Sequence, residues 1–309
     1  MKIITLTLNP AFDIHCFAEN FAPYHENLAR IEANEAGGKG VNISRALTVN
    51  GVENLALVVL GDENGDSFAK RLSDDGMSYL ALTVKGRIRE NITLHTNNAD
   101  ETRISFEGFK TDESILSAVL EKLEGEELDG SIITFTGRVP SGISMGAVKD
   151  FLGTLKKKGA KIVIDSRSFT LDDIVDVAPW LIKPNQEEIS VYLGQEINGF
   201  EDALGGAKAL HAKGIDNVMI SLGSKGALLV SGDGCFIAEP PKIEALSTIG
   251  AGDSSIGGFL AAAKSGAGAD GMLRLAVSYG TAACMTEGTR PPRKTDVESV
   301  YEQVTVKKI

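Results

Sequence analysis

Short apolar runs recur along this chain with helical patterns between them, and that alternation limits what it can fold into. Ile3–Leu8, Leu55–Leu60, Ile132–Thr136, Ile162–Asp165, Trp180–Lys183, Val218–Leu222 and Ala227–Val230 are rich in aliphatic and β-branched residues. Several are apolar at consecutive positions, so both faces of the strand need cover. Between them Leu116, Val119, Leu120 and Leu123 share one helical face. Val148, Phe151, Leu152 and Leu155 form a second face, and Leu273, Ala276, Val277 and Gly280 a third. This alternation predicts an α/β fold, a doubly wound and mostly parallel sheet with right-handed crossovers. Two regions, about 12–35 and 86–108, lack helical periodicity. Within the second, Arg87–Thr96 and Thr102–Phe106 read as strands, with a turn at Asn97-Asn98-Ala99-Asp100. We read the two regions as one small β-sheet, split in sequence, lying as a lid over the mouth of a single domain spanning 1–309.

Charge narrows the partners. Lys plus Arg is 31 and Asp plus Glu is 42, a formal net charge of −11 over 309 residues. Such a chain repels nucleic acid and anionic membrane surfaces. A polyanionic ligand needs a few converging cations and backbone N–H groups instead. Cys16, Cys235 and Cys284 are far apart and odd in number, which argues against a disulfide framework and fits a reducing cytoplasm. His15, His25, His95 and His211 lack metal-ligand spacing, so surface or hydrogen-bonded positions are expected for them. The opening apolar run stops at Asn9-Pro10, too short for a signal sequence, and no run approaches the ~20 apolar residues of a membrane span.

Two glycine-rich elements carry the chemistry. In Ser247-Thr248-Ile249-Gly250-Ala251-Gly252-Asp253-Ser254, two glycines permit a tight turn with bare N–H groups. Ile256, Phe259, Leu260 and Ala263 then define a helix, so Asp253 stands at or near its start. A helix start carries roughly +0.5 charge and binds anions. A carboxylate beside it suits phosphoryl transfer to an alcohol, although a plain N-cap is the competing structural reading of Asp253. The second element, Ala36-Gly37-Gly38-Lys39-Gly40-Val41-Asn42, opens a helix through about Val49. Lys39 and Asn42 would point at a ligand there. The spacing is neither that of a Walker loop nor that of a dinucleotide fingerprint.

Three further patterns are polar. Lys183-Pro184-Asn185-Gln186-Glu187-Glu188 fits a capping box through Asn185 and Glu188. It equally fits Lys183 at nucleotide phosphates and Glu188 near Mg²⁺ through water. Ser221-Leu222-Gly223-Ser224-Lys225-Gly226 is a small-residue turn across which a nucleotide could lie, or a simple hairpin loop. Arg89 and Arg103 lie on the proposed lid strands, where adjacent antiparallel pairing brings them to one face and suits a phosphate dianion.

In this order the elements resemble the phosphofructokinase-B (ribokinase-like) family of sugar kinases, from Met1 to about Gly288. Gly37–Asn42 looks like the family's N-terminal signature and Thr248–Ser254 like its C-terminal one. Asn185-Gln186-Glu187-Glu188 matches its N-x-x-E element. The opening Thr7-Leu8-Asn9-Pro10-Ala11-Phe12-Asp13 and the Ile182–Asn185 run are similar to the subgroup acting on sugar phosphates. The resemblance implies ATP and Mg²⁺ as cofactors and a ketohexose monophosphate as substrate, first fructose 1-phosphate, then tagatose 6-phosphate. It implies Asp253 as catalytic base and Gly250, Ala251 and Gly252 as anion hole. Lys183, Asn185 and Glu188 would serve the ATP phosphates and Mg²⁺, with Ser221, Leu222, Gly223, Ser224, Lys225 and Gly226 bordering the nucleotide. Asp13, Gly38 and Asn42 would hold sugar hydroxyls, while Lys39, Arg89 and Arg103 would neutralise the sugar's own phosphate. A homodimer through the lid sheet is implied as well. Thr136-Gly137-Arg138-Val139-Pro140 departs from the family's usual Ser-Gly-Ser-Leu-Pro, so Arg138 replaces a small hydroxyl near the sugar. Arg167 is unusual for the subgroup. The rivals are a nicotinamide-dependent oxidoreductase, against which the missing glycine fingerprint speaks, and a non-catalytic sugar-phosphate sensor, which has no need of Asp253.

Overall fold

A computed structural model describes residues 1–97 and 101–309. The chain opens with β1 (Ile3–Thr7), β2 (Ala11–Ala18), β3 (Arg30–Gly37) and α1 (Lys39–Val49). β4 (Leu55–Gly61), α2 (Gly65–Asp74), β5 (Tyr79–Val84), β6 (Arg89–Thr96) and β7 (Glu101–Ser105) follow. Next come α3 (Ser114–Lys122), β8 (Ile132–Thr136), α4 (Met145–Lys157), β9 (Lys161–Asp165) and α5 (Leu171–Val177). β10 (Leu181–Ile182), α6 (Gln186–Leu193), α7 (Phe200–His211), β11 (Asn217–Ser221), β12 (Ala227–Ser231) and β13 (Gly234–Glu239) complete the sheet region. The chain ends with α8 (Ala251–Lys264), α9 (Ala269–Ala283), α10 (Lys294–Gln303) and β14 (Thr305–Lys308).

The main sheet has ten strands in the order β14-β13-β12-β11-β10-β9-β8-β1-β4-β5. From β11 to β5 every pairing is parallel, and β12, β13 and β14 add antiparallel strands at one edge. The doubly wound, mostly parallel α/β sheet expected from the sequence is therefore present. Both faces of β1 are buried, as its unbroken apolar run requires. Ile4 and Leu6 join a core layer that includes Phe68 of α2, Val119 of α3, Leu152 of α4 and Leu210 of α7. Ile3 packs into the opposite layer with Leu47 of α1, Phe259 of α8 and Leu273 of α9. On that second face a buried polar chain links Thr5 Oγ1 to Ser44 Oγ at 2.9 Å and Ser44 Oγ to Asn54 Oδ1. It fixes α1, and hence its N-terminus, against β1.

The second sheet has four strands in the order β3-β2-β6-β7. Its two outer pairings are antiparallel and the central β2–β6 pairing is parallel. It draws on both regions that lacked helical periodicity, as expected. The turn expected at Asn97-Asn98-Ala99-Asp100 falls largely outside the described residues.

Some expectations need correction. The strand read at Trp180–Lys183 shrinks to Leu181–Ile182, because Lys183 leaves the ladder for Pro184. Leu222 lies past the end of β11, on the turn rather than the strand. Strands β5, β13 and β14 had no counterpart in the sequence reading. Among the described residues no helix is long and apolar enough to cross a membrane.

The chain runs outward from β1 to β4 and β5, then returns to β8 on the other side of β1. In open α/β sheets such a reversal leaves a crevice at the carboxyl ends of the strands, where ligands bind. Asp165 ends β9, Lys183 follows β10 and Ser221 ends β11. Two of the polar segments found in the sequence thus share one rim with Asp165.

Candidate active site

A cleft of about 260 Å³ opens between the two sheets. Gly38, Lys39, Asn42, Ile249, Gly250 and Asp253 line its core side, and Asp13, Arg89, Asn91 and Arg103 its small-sheet side. It is of the size that takes a small organic ligand.

The core wall is built from two helix starts. Gly38 precedes α1 at φ 119°, a conformation that favours glycine. A side chain at Gly37 would collide with the Asp13 carboxylate, so this glycine leaves room for that carboxylate between β2 and β3. Gly250 is the N-cap of α8 at φ 78°. Asp253 is therefore the third residue inside the helix and not its N-cap, which removes the plain capping explanation. The Ala251 N–H turns back to Thr248 O at 3.4 Å. The N–H groups of Gly250, Gly252 and Asp253 make no bond to other main-chain groups. Of the three residues expected to form an anion hole, Ala251 is thus the least available. Lys183 is 7% exposed, and a Cβ added at Gly252 would sit 3.1 Å from its Nζ. A buried ammonium therefore stands directly before the open helix terminus, an arrangement suited to phosphate oxygens.

Charges alternate across this wall. Lys39 Nζ donates to Asp165 Oδ2 at 2.8 Å, and Asn42 Nδ2 donates to Asp253 Oδ2 at 2.9 Å. Burial opposes ionisation of Asp165, yet Lys183 and Lys39 outweigh it and hold the carboxyl below its usual range. Burial likewise opposes the charge on Lys39, but the carboxylates of Asp165, Asp253 and Glu188 raise it on balance. Asp253 differs. It is 8% exposed, and burial, reinforced by the Asp165 charge, outweighs the lysines and the Asn42 hydrogen bond. Its carboxyl is pushed up to about 6, well above the ordinary aspartate value. Asp165 was not singled out in the sequence, because its partner Lys39 is remote in the chain. The available signal was a carboxylate closing an apolar strand at the ligand-binding edge.

The small-sheet wall has a regular register. Asp13 pairs with Asn91 and His15 with Thr93 across β2 and β6. Asn91 pairs with Ser105 and Thr93 with Arg103 across β6 and β7. Alternate residues of a strand share a face, so these side chains form two polar rows. Asn91 Nδ2 donates to Asp13 Oδ1 at 2.9 Å. Among the described residues, Arg89 Nε, Asn91 Oδ1 and Asn42 Oδ1 are buried with no hydrogen-bond partner. Leaving such groups unpaired costs about 1–3 kcal/mol each, so three of them around one cleft point to a polar ligand. Arg103 also lines the cleft, but its Nε donates to Glu101 on its own strand at 2.5 Å.

The remaining predicted residues lie apart from this cleft. Glu188 and Lys183 line a smaller, water-sized recess with Asp165, Ser166 and Tyr192. Asn185 and Glu188 form the capping box read from the sequence. Arg167 Nε donates to Glu188 Oε1 at 3.1 Å, which gives this unusual arginine a partner. Ser221 N–H bonds Pro184 O at 3.1 Å, so the Ser221–Gly226 turn stands beside the Lys183–Glu188 element and not along the large cleft. Arg138 is exposed and is not among the residues lining the cleft. Its charge is near enough to add to the burial that lowers Arg89.

Comparison with known proteins agrees with this geometry. Residues 9–296 match the family described as pfkB family carbohydrate kinase. The chain is 33% identical over 263 residues to 1-phosphofructokinase of Escherichia coli strain K12, covering 84% of this chain and 83% of the relative. It is 30% identical over 285 residues to 1-phosphofructokinase of Bacillus subtilis strain 168, covering 92% and 93%. The crystal structure of phosphofructokinase-2 from Escherichia coli in complex with substrates and products superposes with a TM-score of 0.91, at 26% identity over 98% of this chain and 99% of that one.

Proposed function

This chain belongs to the pfkB family of carbohydrate kinases, and from that membership we propose that it transfers the γ-phosphoryl group of ATP to O6 of fructose 1-phosphate, forming fructose 1,6-bisphosphate. Two relatives at 30% identity or better bear the name 1-phosphofructokinase, which supports the choice of sugar. The observation that carries it is the pairing of opposite cleft ends. Asp253 and unpaired N–H groups face one side, and the partnerless Arg89 Nε faces the other. In this reading Asp253 accepts the proton of the attacking hydroxyl. The N–H groups of Gly250 and Gly252, with Lys183, hold the transferring group. Asp13, Gly38 and Asn42 orient the sugar hydroxyls. Arg89 and Arg103 hold the sugar's phosphate, and Arg138 adds positive charge at the rim. Lys39, tied to Asp165, contributes charge from the core wall.

Mg²⁺ fits the smaller recess. Carboxylate oxygens suit this hard cation, and Glu188 and Asp165 flank one recess beside Lys183. Among the described residues no three His, Cys, Asp or Glu side chains gather closely enough to hold a metal alone. Such an ion would therefore share its ligands with nucleotide phosphates and water. When bound, it offsets charge on the phosphate oxygens in the loose transition state of phosphoryl transfer.

The test is ADP release with MgATP against fructose 1-phosphate, fructose 6-phosphate, tagatose 6-phosphate, fructose and ribose. A kcat/KM for fructose 1-phosphate at least tenfold above the others is expected. A preference for an unphosphorylated sugar would leave the family standing and remove the phosphate-holding assignment.

We also propose a homodimer through the small sheet. Its face opposite the polar rows carries Ile14, Cys16, Leu94 and Ile104, with Ile31 in register beside Cys16. Ile104 is 47% exposed and Ile31 64%. Contiguous apolar surface of this kind marks an interaction site. Light scattering should give twice the chain mass for the wild type, and the chain mass for the double variant Ile31→Lys, Ile104→Lys. A monomeric wild type at micromolar concentration would end the proposal.

A further inference from the structure

His15 was expected, like the other histidines, to be a surface or hydrogen-bonded residue. It is neither. It is 8% exposed, its side chain lines the cleft, and among the described residues neither ring nitrogen has a hydrogen-bond partner. A ring that borders the cleft and holds no partner within the protein is available to bond a ligand there.

The ring is also held in place. It stacks on His95 with centroids 5.9 Å apart and planes 9° from parallel. The loop after α9 passes close by, and a Cβ at Gly288 would lie 3.2 Å from His15 Nε2. Gly288 adopts φ +59° and leaves that space open. Next to it, Thr289 lines the same cleft and donates from Oγ1 to Glu35 Oε2 at 2.7 Å. Little rotamer freedom remains for His15 to lose on binding, which favours a group built to recognise a ligand.

Its neighbours indicate the ligand chemistry. His15 occupies the outer polar row with Thr93 and Arg103, one step along the strands from Asp13 and Asn91. That row offers an imidazole, a hydroxyl and a guanidinium, a set suited to an anionic oxygen group. We propose that His15 is a substrate-binding and specificity-determining residue, donating a ring N–H to the phosphate or the adjacent oxygen of the sugar phosphate. This rests on the reading that the acceptor is a phosphorylated sugar.

Two variants test it, His15→Leu and His15→Gln, with steady-state kinetics and calorimetric binding of fructose 1-phosphate in the absence of ATP. Leu should raise KM and Kd for the sugar phosphate about tenfold, the scale of one hydrogen bond to a charged group. kcat and KM for MgATP should stay within about twofold. Gln, which keeps a donor, should recover part of the loss. The proposal is overturned if Leu leaves the sugar-phosphate KM and Kd within twofold of wild type, or raises the KM of both substrates alike. Failure of the underlying reading looks different, because the wild type itself would then prefer an unphosphorylated sugar.

Discussion

Asp253→Asn should cut kcat by about 10³-fold, within the range that general-base catalysis supplies, while fructose 1-phosphate still binds within a few-fold of wild type. Asparagine keeps the size of the side chain and its contact with Asn42, and removes only the basic oxygen. The same substitution should stabilise the protein. The native carboxyl sits at about 6, against an ordinary 3.8. Below both values the group is neutral in either state and carries no penalty. As pH rises from 4 to 6 the unfolded chain gives up its proton first, so the native state loses stability across that window and stays penalised above it. At about 1.4 kcal/mol per unit, removing the charge returns roughly 2–3 kcal/mol at neutral pH. Thermal unfolding at pH 7.5 and at pH 4 should therefore show a gain that vanishes in acid. The wild-type kcat/KM for sugar should fall below about pH 6, and this limb should be missing from the residual activity of the variant. Turnover within tenfold of wild type would remove Asp253 as the base.

A catalytic carboxylate with that value is not readable from the motif alone. The glycines and the aspartate announce a helix start and an anion site, because those properties are local. Burial by the facing sheet and the charge of Asp165, which together raise the group, are assembled from residues distant in the chain. The same division runs through the fold. Parallel strands such as β4 and β8 were legible because both of their faces are apolar. Strand β14, with Lys307 and Lys308 at the sheet edge, was not, since charged side chains on an edge strand break the apolar pattern while serving to block further pairing. Arg138 was readable only in part, for a related reason. Its loop is recognisable by position, but the direction of a long side chain on a glycine-adjacent turn is set by tertiary surroundings. His15 was passed over because a single histidine carries no periodicity. Only the strand register reveals that it shares a face with Asp13 and stands opposite Thr93.

Register also separates the two arginines, and their expected effects differ accordingly. Arg89→Ala should raise KM for the sugar phosphate about 100-fold, because a buried guanidinium bonding a phosphate is worth roughly 1.5–3 kcal/mol per charged hydrogen bond. KM for MgATP should change less than twofold, since Arg89 begins β6 on the small-sheet wall of the cleft while Lys183 lines a separate recess. Arg89→Lys should restore little, for an ammonium cannot reproduce the planar fork. Arg103→Ala should cost about tenfold or less, because that side chain is 52% exposed and already shared with Glu101. Burial lowers Arg89 from its usual value, and the nearby Arg138 adds to this, while Asp13 works in the opposite direction. An incoming dianion would relieve both unfavourable influences at once, which is why the larger effect belongs to Arg89. Comparable increases in KM for both substrates on Arg89→Ala would mean that the residue supports the fold of the cleft and does not hold the sugar's phosphate.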